Sequence, residues 1–254
     1  MRLIIIFIAM LGFMIDTAQA LQVKQHMQTT IGLFDACEQI LEYSFFNNKD
    51  YDVKTAVKTT GTFGVIYPFT ANYHAVGTYN QDIFKPQSYF YEAQSRFTHR
   101  TKEIIYQDGV PVQRISVKNE KKRYDDIIID SKYAQSIDLL SMFGKLTEQI
   151  VRTGKCDFDD YSFNGKKYTK STLKQIKKEK IKTKYFEGKA IKCQYFLEVL
   201  DDADAGFMLN KDEPIYLWIM RDKQTDAPFV AKVEIASTPF GKLKSVTTKL
   251  EVKK

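Results

Sequence analysis

Hydrophobic residues recur with two different spacings along the chain, and each spacing predicts a type of element. Between about Lys24 and Tyr43 they return every three or four residues, at Met27, Ile31, Phe34, Cys37 and Leu41. This is the spacing of one face of an α-helix. We therefore expect an N-terminal helical segment within residues 21–50, ahead of the main domain.

From residue 51 onward the spacing shortens to two residues, which is typical of β-strands. Tyr51, Val53, Thr55 and Val57 begin this alternation, and similar runs follow to the end of the chain. Turn signals separate the runs at Asp108-Gly109, Asn164-Gly165, Glu187-Gly188-Lys189, 222–226 and 239–241. The pattern predicts a mainly β domain over residues 51–254, built as a curved antiparallel sheet or an open β-barrel.

One segment inside the β region has helical spacing. Its apolar stripe consists of Ile137, Leu140, Phe143, Leu146 and Ile150. Ser136 or Asp138 suits the N-cap of this helix, and Gly154 suits a left-handed C-cap. Because a sheet must bury one face against another element, we expect the embedded helix to cover the curved sheet. Its stripe then lines either a packed core or a pocket that holds an acyl chain.

Residues 1–20 have the features of a secretory signal peptide. Arg2 gives a positive start, an apolar stretch follows, and Ala18-Gln19-Ala20 fits a cleavage site. The stretch is short for a bilayer span, although an N-terminal membrane anchor is the alternative. We expect cleavage after Ala20 and a periplasmic or secreted protein. One Arg and one Asp leave with the peptide, so the formal net charge of +7 is unchanged.

Three cysteines follow the signal peptide, at positions 37, 156 and 193. An oxidising compartment allows one disulfide among them and leaves one thiol free. Cys37 lies on the apolar face of the predicted N-terminal helix, where a buried free thiol is expected. This favours a Cys156–Cys193 disulfide, with three reduced cysteines as the alternative.

The segment FNGKKYTKSTLKQIKKEKIK, residues 163–182, is rich in lysine. Counted along a strand, one face holds Lys170, Lys174, Lys178, Lys180 and Lys182, and Leu173 and Ile181 lie on the other face. Ile176 interrupts the alternation, so we expect a bend or a β-bulge there. We interpret the segment as a hairpin strand with one solvated basic face, suited to peripheral contact with an anionic membrane or a protein partner.

Residues that commonly perform catalysis or bind metals have no recognisable arrangement in the sequence. His26, His74 and His99 have no metal-ligand spacing, and no nucleophile, phosphate-binding or zinc-protease motif occurs. Two acidic clusters, at 157–160 and 201–204, are interpreted as solvated loops. The second begins like a calcium loop but lacks the later bidentate Glu. We expect no catalytic residues, no metal and no cofactor.

Aromatic residues are frequent, with 18 Phe, 15 Tyr and one Trp. A site for single-stranded nucleic acid needs aromatic and basic residues together in a groove, but most of these aromatics alternate along strands as sheet packing requires. Export also separates the protein from nucleic acid. We therefore expect no nucleic-acid partner, and the pattern sets no oligomeric state.

Short motifs follow one another in a recognisable order in the C-terminal half. A cysteine precedes FNGKKY, and then come EGKAIKCQY, AGF, the tryptophan strand IYLWI, APFVAKVEI and TPFGKLKSVTTKL. Upstream, YDVKTAVKTTGTFGVIYPF reads as a pair of opening strands and YQDGVPV as a central hairpin. This order resembles a bacterial exported family of unknown function, DUF3108, from about Tyr51 to Val252. Asn164 stands where that family usually has Asp, and the predicted N-terminal helix precedes the family's usual start.

The resemblance implies an exported β-rich domain, with an open barrel similar to lipoprotein-carrier folds and no established catalytic residues. We expect a non-enzymatic protein of the cell envelope that binds a lipid-like or other apolar ligand in its curved sheet. The alternative is an interaction module that docks on an anionic envelope surface or a partner through the lysine-rich strand. An unrecognised hydrolase would need a nucleophile–base pair.

Overall fold

The chain forms one antiparallel sheet wrapped around a helix, in a computed structural model that describes residues 21–46, 49–200 and 214–253. The strands are β1 (Leu21–Ile31), β2 (Phe34–Phe45), β3 (Asp50–Thr59), β4 (Phe69–Asn80), β5 (Ile83–Ser95), β6 (His99–Gln107), β7 (Val110–Lys118), β8 (Lys121–Asp126), β9 (Phe158–Phe163), β10 (Tyr168–Lys182), β11 (Glu187–Val199), β12 (Ile215–Arg221), β13 (Pro228–Ile235) and β14 (Leu243–Lys253). The helices are α1 (Gly61–Ile66) and α2 (Leu139–Thr153), with a 3-10 turn at Ser131–Tyr133. None of the described helices is long and apolar enough to cross a membrane.

The sheet consists of two meanders joined along β1 and β14. The order across the described strands is β8-β7-β6-β5-β4-β3-β2-β1-β14-β13-β12-β11-β10-β9. Its edge strands, β8 and β9, do not pair with each other within the described residues. The connector after β8 lies against β9 instead, since Ile137 bridges to Ser162 and the backbone N of Phe163 donates to the Ile137 oxygen at 2.9 Å. The fold is an open, curled antiparallel sheet, which confirms the predicted fold class.

The predicted N-terminal helix is wrong, because residues 21–45 form the central hairpin β1–β2. Alternate residues of β1 are buried: Val23, Gln25, Met27, Thr29 and Ile31. Gln25 and Thr29 are polar, and without them the buried apolar residues recur every four positions, which is the spacing of a helix face. Inside the sheet, Thr29 Oγ1 donates to Ser245 Oγ at 2.9 Å, and Gln25 Oε1 accepts from the backbone N of Val230 at 3.3 Å. Residues 21–50 are therefore part of the same sheet as the rest of the chain, not a separate segment.

Most of the predicted turns join strands where expected, at Asp108-Gly109, Asn164-Gly165, 222–226 and 239–241. The turn at Glu187-Gly188-Lys189 is wrong, because Gly188 lies inside β11. Thr183 makes the real turn, since its Oγ1 accepts from the backbone N of Tyr185 at 3.2 Å and of Phe186 at 2.9 Å. Gly188 has a packing role, because a Cβ there would approach Met220 Cε to 2.9 Å.

The predicted embedded helix is present as α2, which packs against strands of both meanders. Asp138 caps its start by accepting from the backbone N of Leu140 and Ser141, and Gly154 ends it at φ 67°. Of the predicted stripe, the residues in or against the main core cluster are Ile137, Leu140, Phe143, Leu146 and Ile150. Of the two alternatives for the stripe, a packed core or a pocket for an acyl chain, its place in this cluster supports the packed core.

Gly144 lies where α2 approaches the sheet closely. A Cβ at this position would be 3.3 Å from Phe84 Cε1 and 3.4 Å from Val53 Cγ2. We expect Gly144→Leu to lower the free energy of unfolding by about 1–3 kcal/mol, because the added methylenes overpack the core. Urea unfolding measures the change. Val151→Leu, at an exposed position of α2, is the control and should stay within about 0.5 kcal/mol of the wild type. Equal effects of the two substitutions would contradict the packing of α2.

Candidate functional site: a tyrosine-walled basic cleft

The predicted Cys156–Cys193 disulfide is present, and both cysteines are fully buried. It ties the segment after α2 to the middle of β11, with 6.4 Å between the two Cα atoms. Cys37 is the free cysteine. It is half-buried in β2, and burial raises the pKa of its thiol. The pairing is confirmed, whereas the helical placement of Cys37 that favoured it is wrong.

The lysine-rich strand β10 has the predicted β-bulge at Ile176. The same bulge contradicts the prediction of one basic face formed by Lys170, Lys174, Lys178, Lys180 and Lys182. Lys174 pairs with Gln194, whereas Lys178 pairs with Ile191. Paired residues project from the same face, and positions 194 and 191 project from opposite faces of β11. The first two lysines therefore face away from the last three, because the extra residue in the bulge reverses the alternation.

A cleft of about 520 Å³ opens beside the core, where β5 leads into β6 and β6 pairs with β7. Strand register places its walls: Tyr91 pairs with Lys102, Lys102 pairs with Ser116, and Arg100 pairs with Lys118. Because paired residues share a face, these side chains gather on one side of the sheet. Tyr73, Tyr89 and Tyr91 form the aromatic wall, and the rings of Tyr73 and Tyr91 are 4.9 Å apart.

Three cations line this cleft: Arg100, Lys102 and Lys118. None of the three forms an ion pair with a carboxylate in the part of the chain that the structure describes, whereas the neighbouring Arg114 is paired with Asp125. Lys102 Nζ donates to the backbone oxygen of Asn164 at 2.9 Å and lies 6.0 Å from the centre of the Tyr91 ring. The cleft therefore combines positive charge with an aromatic wall.

The environment of Lys102 disfavours its own charge. Burial lowers the pKa of Lys102, and the positive charges of Arg114 and Lys166 lower it further. Burial raises the pKa of Tyr73 to about 12, so this part of the wall stays neutral. An anion bound beside Lys102 would offset the repulsion among the cations. The cleft is therefore suited to a ligand that carries an anionic group on an apolar body.

A smaller groove of about 310 Å³ lies on the other face of the sheet, over β2 to β5. Its charged groups are already paired. Asp52 contacts His74 at 3.1 Å and Lys54 at 2.8 Å, and Glu42 contacts Lys24 at 2.7 Å. These pairs make the groove a weaker binding candidate than the cleft.

The histidines and acidic residues singled out in the sequence have structural contacts. Each histidine lies beside one carboxylate: His26 by Glu251 at 3.9 Å, His74 by Asp52 at 3.1 Å, and His99 by Glu92 at 2.9 Å. Within the described ranges, no three His, Cys, Asp or Glu residues are grouped so that they could hold a metal. In the first acidic cluster, Asp160 pairs with Lys145 at 2.5 Å. The second cluster, 201–204, lies outside the described residues.

Sequence reasoning did not find the cleft, although β6 contains a signal for it. Arg100, Lys102, Ile104 and Tyr106 share one face because they alternate along the strand. Ile104 and Tyr106 are buried, so the two cations on the same face must lie at the margin of the core. The tyrosines come from other strands, and only the register of β4, β5 and β6 shows that they meet these cations.

Comparison with known proteins gives a family and a fold. The profile of DUF3108, described as a protein of unknown function, matches residues 34–248. The match begins before Tyr51, the predicted start of the resemblance, because it includes β2. No curated protein matches the chain.

Among solved structures, the chain is similar to a β-barrel-like protein of a domain of unknown function, DUF1849, from Brucella abortus. The TM-score is 0.52 at 7% sequence identity, and the similarity covers 92% of this chain and 98% of the other. At this identity the similarity shows the fold alone. It agrees with the curled sheet described above.

Proposed function

Because the chain belongs to DUF3108, a family of proteins of unknown function, we propose its function from its own cleft. The protein is an exported, non-enzymatic component of the cell envelope that binds an anionic amphiphile, a lipid-like molecule with an acyl chain. The observation that carries this proposal is a cleft of about 520 Å³ in which three cations face a tyrosine wall. Those cations have no carboxylate partner among the described residues.

The size and chemistry of the cleft support such a ligand. Ligand pockets commonly measure roughly 300–1,000 Å³ and combine apolar walls with a few polar groups. Tyr73 and Tyr91 offer ring faces to an acyl chain, and Lys102 and Arg100 offer charged donors to a phosphate or carboxylate. The apolar stripe of α2 packs in or against the main core cluster, so the proposal places the ligand in this cleft and not beneath α2.

Two features support export. The N-terminal residues have the pattern of a signal peptide, and disulfides such as Cys156–Cys193 persist in oxidising compartments but are rare in the cytosol. We propose a periplasmic or secreted protein that begins at Leu21 after cleavage. The intact mass of the protein recovered from its own cells tests this point, and a mass that still includes residues 1–20 would contradict it.

The lining of the cleft favours binding over catalysis. Its described residues include no carboxylate, histidine or cysteine. Lys102 and Ser116 are a potential base and nucleophile in the lining, but the Lys102 amine donates to the backbone oxygen of Asn164 at 2.9 Å. The alternative function, docking of the lysine-rich β10 on an anionic surface or a partner, has less support. Its lysines lie on two faces, and Lys170 and Lys182 are paired with Asp159 and Glu187 at 3.3 Å.

A titration with dodecyl phosphate tests the cleft. We expect Lys102→Met to weaken binding about 10- to 100-fold, because it removes a charge-assisted hydrogen bond while keeping a long apolar side chain. Lys54→Met, in the smaller groove on the other face of the sheet, is the matched control and should bind like the wild type. Isothermal titration calorimetry measures the three affinities.

Two outcomes of this titration would contradict the proposal. Equal affinities of Lys102→Met and the wild type would place the ligand elsewhere. Release of inorganic phosphate from dodecyl phosphate, lost in Lys102→Met, would show catalysis in the cleft.

A further inference from the structure

One end of the sheet carries exposed apolar residues on four separate turns. Leu33 and Phe34 follow β1, Val65 and Ile66 end α1, Phe97 lies between β5 and β6, and Phe240 lies between β13 and β14. Their side chains are between 52% and 97% exposed. We call these six residues the apolar rim.

Direct contacts hold the four turns together. Neighbouring strands alternate in direction, so β1, β3 and β5 end and β14 begins at this end of the sheet. The backbone N of Gly32 donates to the Lys242 oxygen at 2.8 Å, Arg96 donates to the Val65 oxygen at 3.2 Å, and the Phe63 and Phe240 rings lie 6.0 Å apart. The apolar rim is therefore a defined surface whose residues keep their relative positions.

The shape of the rim favours a bilayer as its partner. Large exposed apolar patches on a protein usually mark a protein or membrane contact. The rim projects as separate turn tips, and a protein partner would need a matching hollow for each of them. The interface of a bilayer adjusts around aromatic and aliphatic side chains. This favours insertion of the tips among lipid headgroups.

The charges around the rim favour anionic lipid. In the four turns the charged residues are Arg96, Asp35 and Lys242, and Lys242 is paired with Glu234 at 3.3 Å. The adjacent β7–β8 turn contributes Lys118, Lys121 and Lys122 against Glu120. The balance is positive. Basic residues next to an inserted apolar surface strengthen binding to anionic headgroups.

We propose that the apolar rim docks on an anionic bilayer, with its turn tips inserted among the headgroups. The cleft lies near the same end of the sheet, since its lining residues Arg100 and Lys118 are next to the β5–β6 and β7–β8 turns. A docked molecule therefore holds its cleft beside the lipid from which an amphiphile enters. The docking proposal goes beyond the proposed function and does not depend on amphiphile binding in the cleft. Only the entry of an amphiphile from the bilayer rests on the proposed function.

Tryptophan probes locate the docking surface. The single native tryptophan, Trp218, is 4% exposed and provides a shielded background. Leu33→Trp and Phe97→Trp place a second tryptophan on the rim, and Ile128→Trp places one at a 95% exposed position at the opposite end of the sheet. With vesicles of phosphatidylglycerol and brominated phosphatidylcholine, we expect quenching of the two rim probes and none of Ile128→Trp. Quenching of Ile128→Trp instead of the rim probes would overturn the proposal.

Vesicle partitioning measures the energetic contribution of the rim. We expect the triple variant Leu33→Ser, Ile66→Ser, Phe97→Ser to bind vesicles at least about 30-fold more weakly, because it removes three inserted apolar side chains. The matched control is Ile83→Ser with Ile128→Ser, two exposed apolar residues at the opposite end. A second control reverses the charges of Lys178 and Lys180. All variants are made in the wild-type protein without residues 1–20. Both controls should bind vesicles as tightly as this wild-type protein.

Three outcomes would overturn the docking proposal: no binding of the wild type to anionic vesicles, no weakening in the triple variant, or an equal loss in either control. Failure of the docking proposal can be distinguished from failure of the proposed function. Dodecyl phosphate binding to Lys102→Met is measured in solution without vesicles, and the triple rim variant should retain wild-type affinity in that titration.

Discussion

Replacing both Cys156 and Cys193 with alanine should lower the free energy of unfolding by about 4 kcal/mol. The two cysteines are 37 residues apart, and in the chain-entropy description a cross-link of this span restricts the unfolded chain by about that amount. The bridge also joins the stretch after α2 to the centre of β11, which pairs with β10 and β12. Urea unfolding of the two proteins under non-reducing conditions measures the difference.

Cys37 offers a matched control for this experiment. It is a free, half-buried cysteine in β2, so Cys37→Ala removes a sulfur without removing a cross-link. We expect it to change the free energy of unfolding by less than about 1 kcal/mol. A double alanine variant as stable as Cys37→Ala would show that the disulfide does not stabilise the fold.

The second large effect comes from Asp138, the buried N-cap of α2. Its carboxylate accepts from the backbone N of Leu140 at 3.0 Å, and from the backbone N and hydroxyl of Ser141 at 2.9 and 2.5 Å. Burial nevertheless raises the pKa of Asp138 to about 6, outweighing these hydrogen bonds, which lower it. The surrounding groups are tyrosines, Tyr51, Tyr89 and Tyr106, whose pKa values are raised by burial and then by the Asp138 charge.

This raised pKa fixes the direction of the pH dependence. An unfolded aspartate has a pKa of about 3.9. Between that value and about 6, the folded protein holds a proton on Asp138 that the unfolded chain releases. The contribution of Asp138 to stability therefore falls as pH rises through this window and is constant above it. At 1.36 kcal/mol per pKa unit the loss is about 3 kcal/mol.

Asp138→Asn should abolish this loss, because asparagine keeps an oxygen for the N-cap but does not ionise. We expect the stability of the variant relative to the wild type to rise by about 2–3 kcal/mol between pH 4 and pH 7. Urea unfolding at the two pH values measures it. Asp222→Asn is the control: hydrogen bonds from Thr225 lower the pKa of Asp222, so its contribution to stability changes mainly below about pH 4, and the relative stability of this variant should stay nearly constant between pH 4 and pH 7. A relative stability of Asp138→Asn that does not change with pH would contradict the buried, ionisable cap.

Features that depend on neighbouring residues in the chain could be predicted from the sequence. The stripe and caps of α2 lie within about twenty consecutive residues, and several hairpin turns are set by an Asp-Gly or Asn-Gly pair. The prediction of an N-terminal helix was wrong because Gln25 and Thr29 are polar residues that are nevertheless buried in the sheet. Their hydrogen-bonding partners, Val230 and Ser245, lie more than two hundred residues away in sequence, so no local pattern identifies these positions as core.

Features that depend on register could not be predicted. The bulge at Ile176 was predicted. Assigning the lysines to the two faces of β10, however, depends on the register of β10 with β11. The cleft depends on register even more strongly. Tyr73, Tyr91 and Lys102 meet because three strands pair with particular offsets, and each residue alone is an ordinary strand position.

The central claim is that the cleft holds an anionic amphiphile, and native mass spectrometry of the protein purified from its own cell envelope tests it most directly. We expect the wild type to carry one additional mass that dissociates as an anionic, chain-bearing molecule, and Lys102→Met purified in the same way to be largely free of it. A wild-type protein that consistently has the mass of the polypeptide alone, or a bound molecule retained equally by Lys102→Met, would contradict the claim.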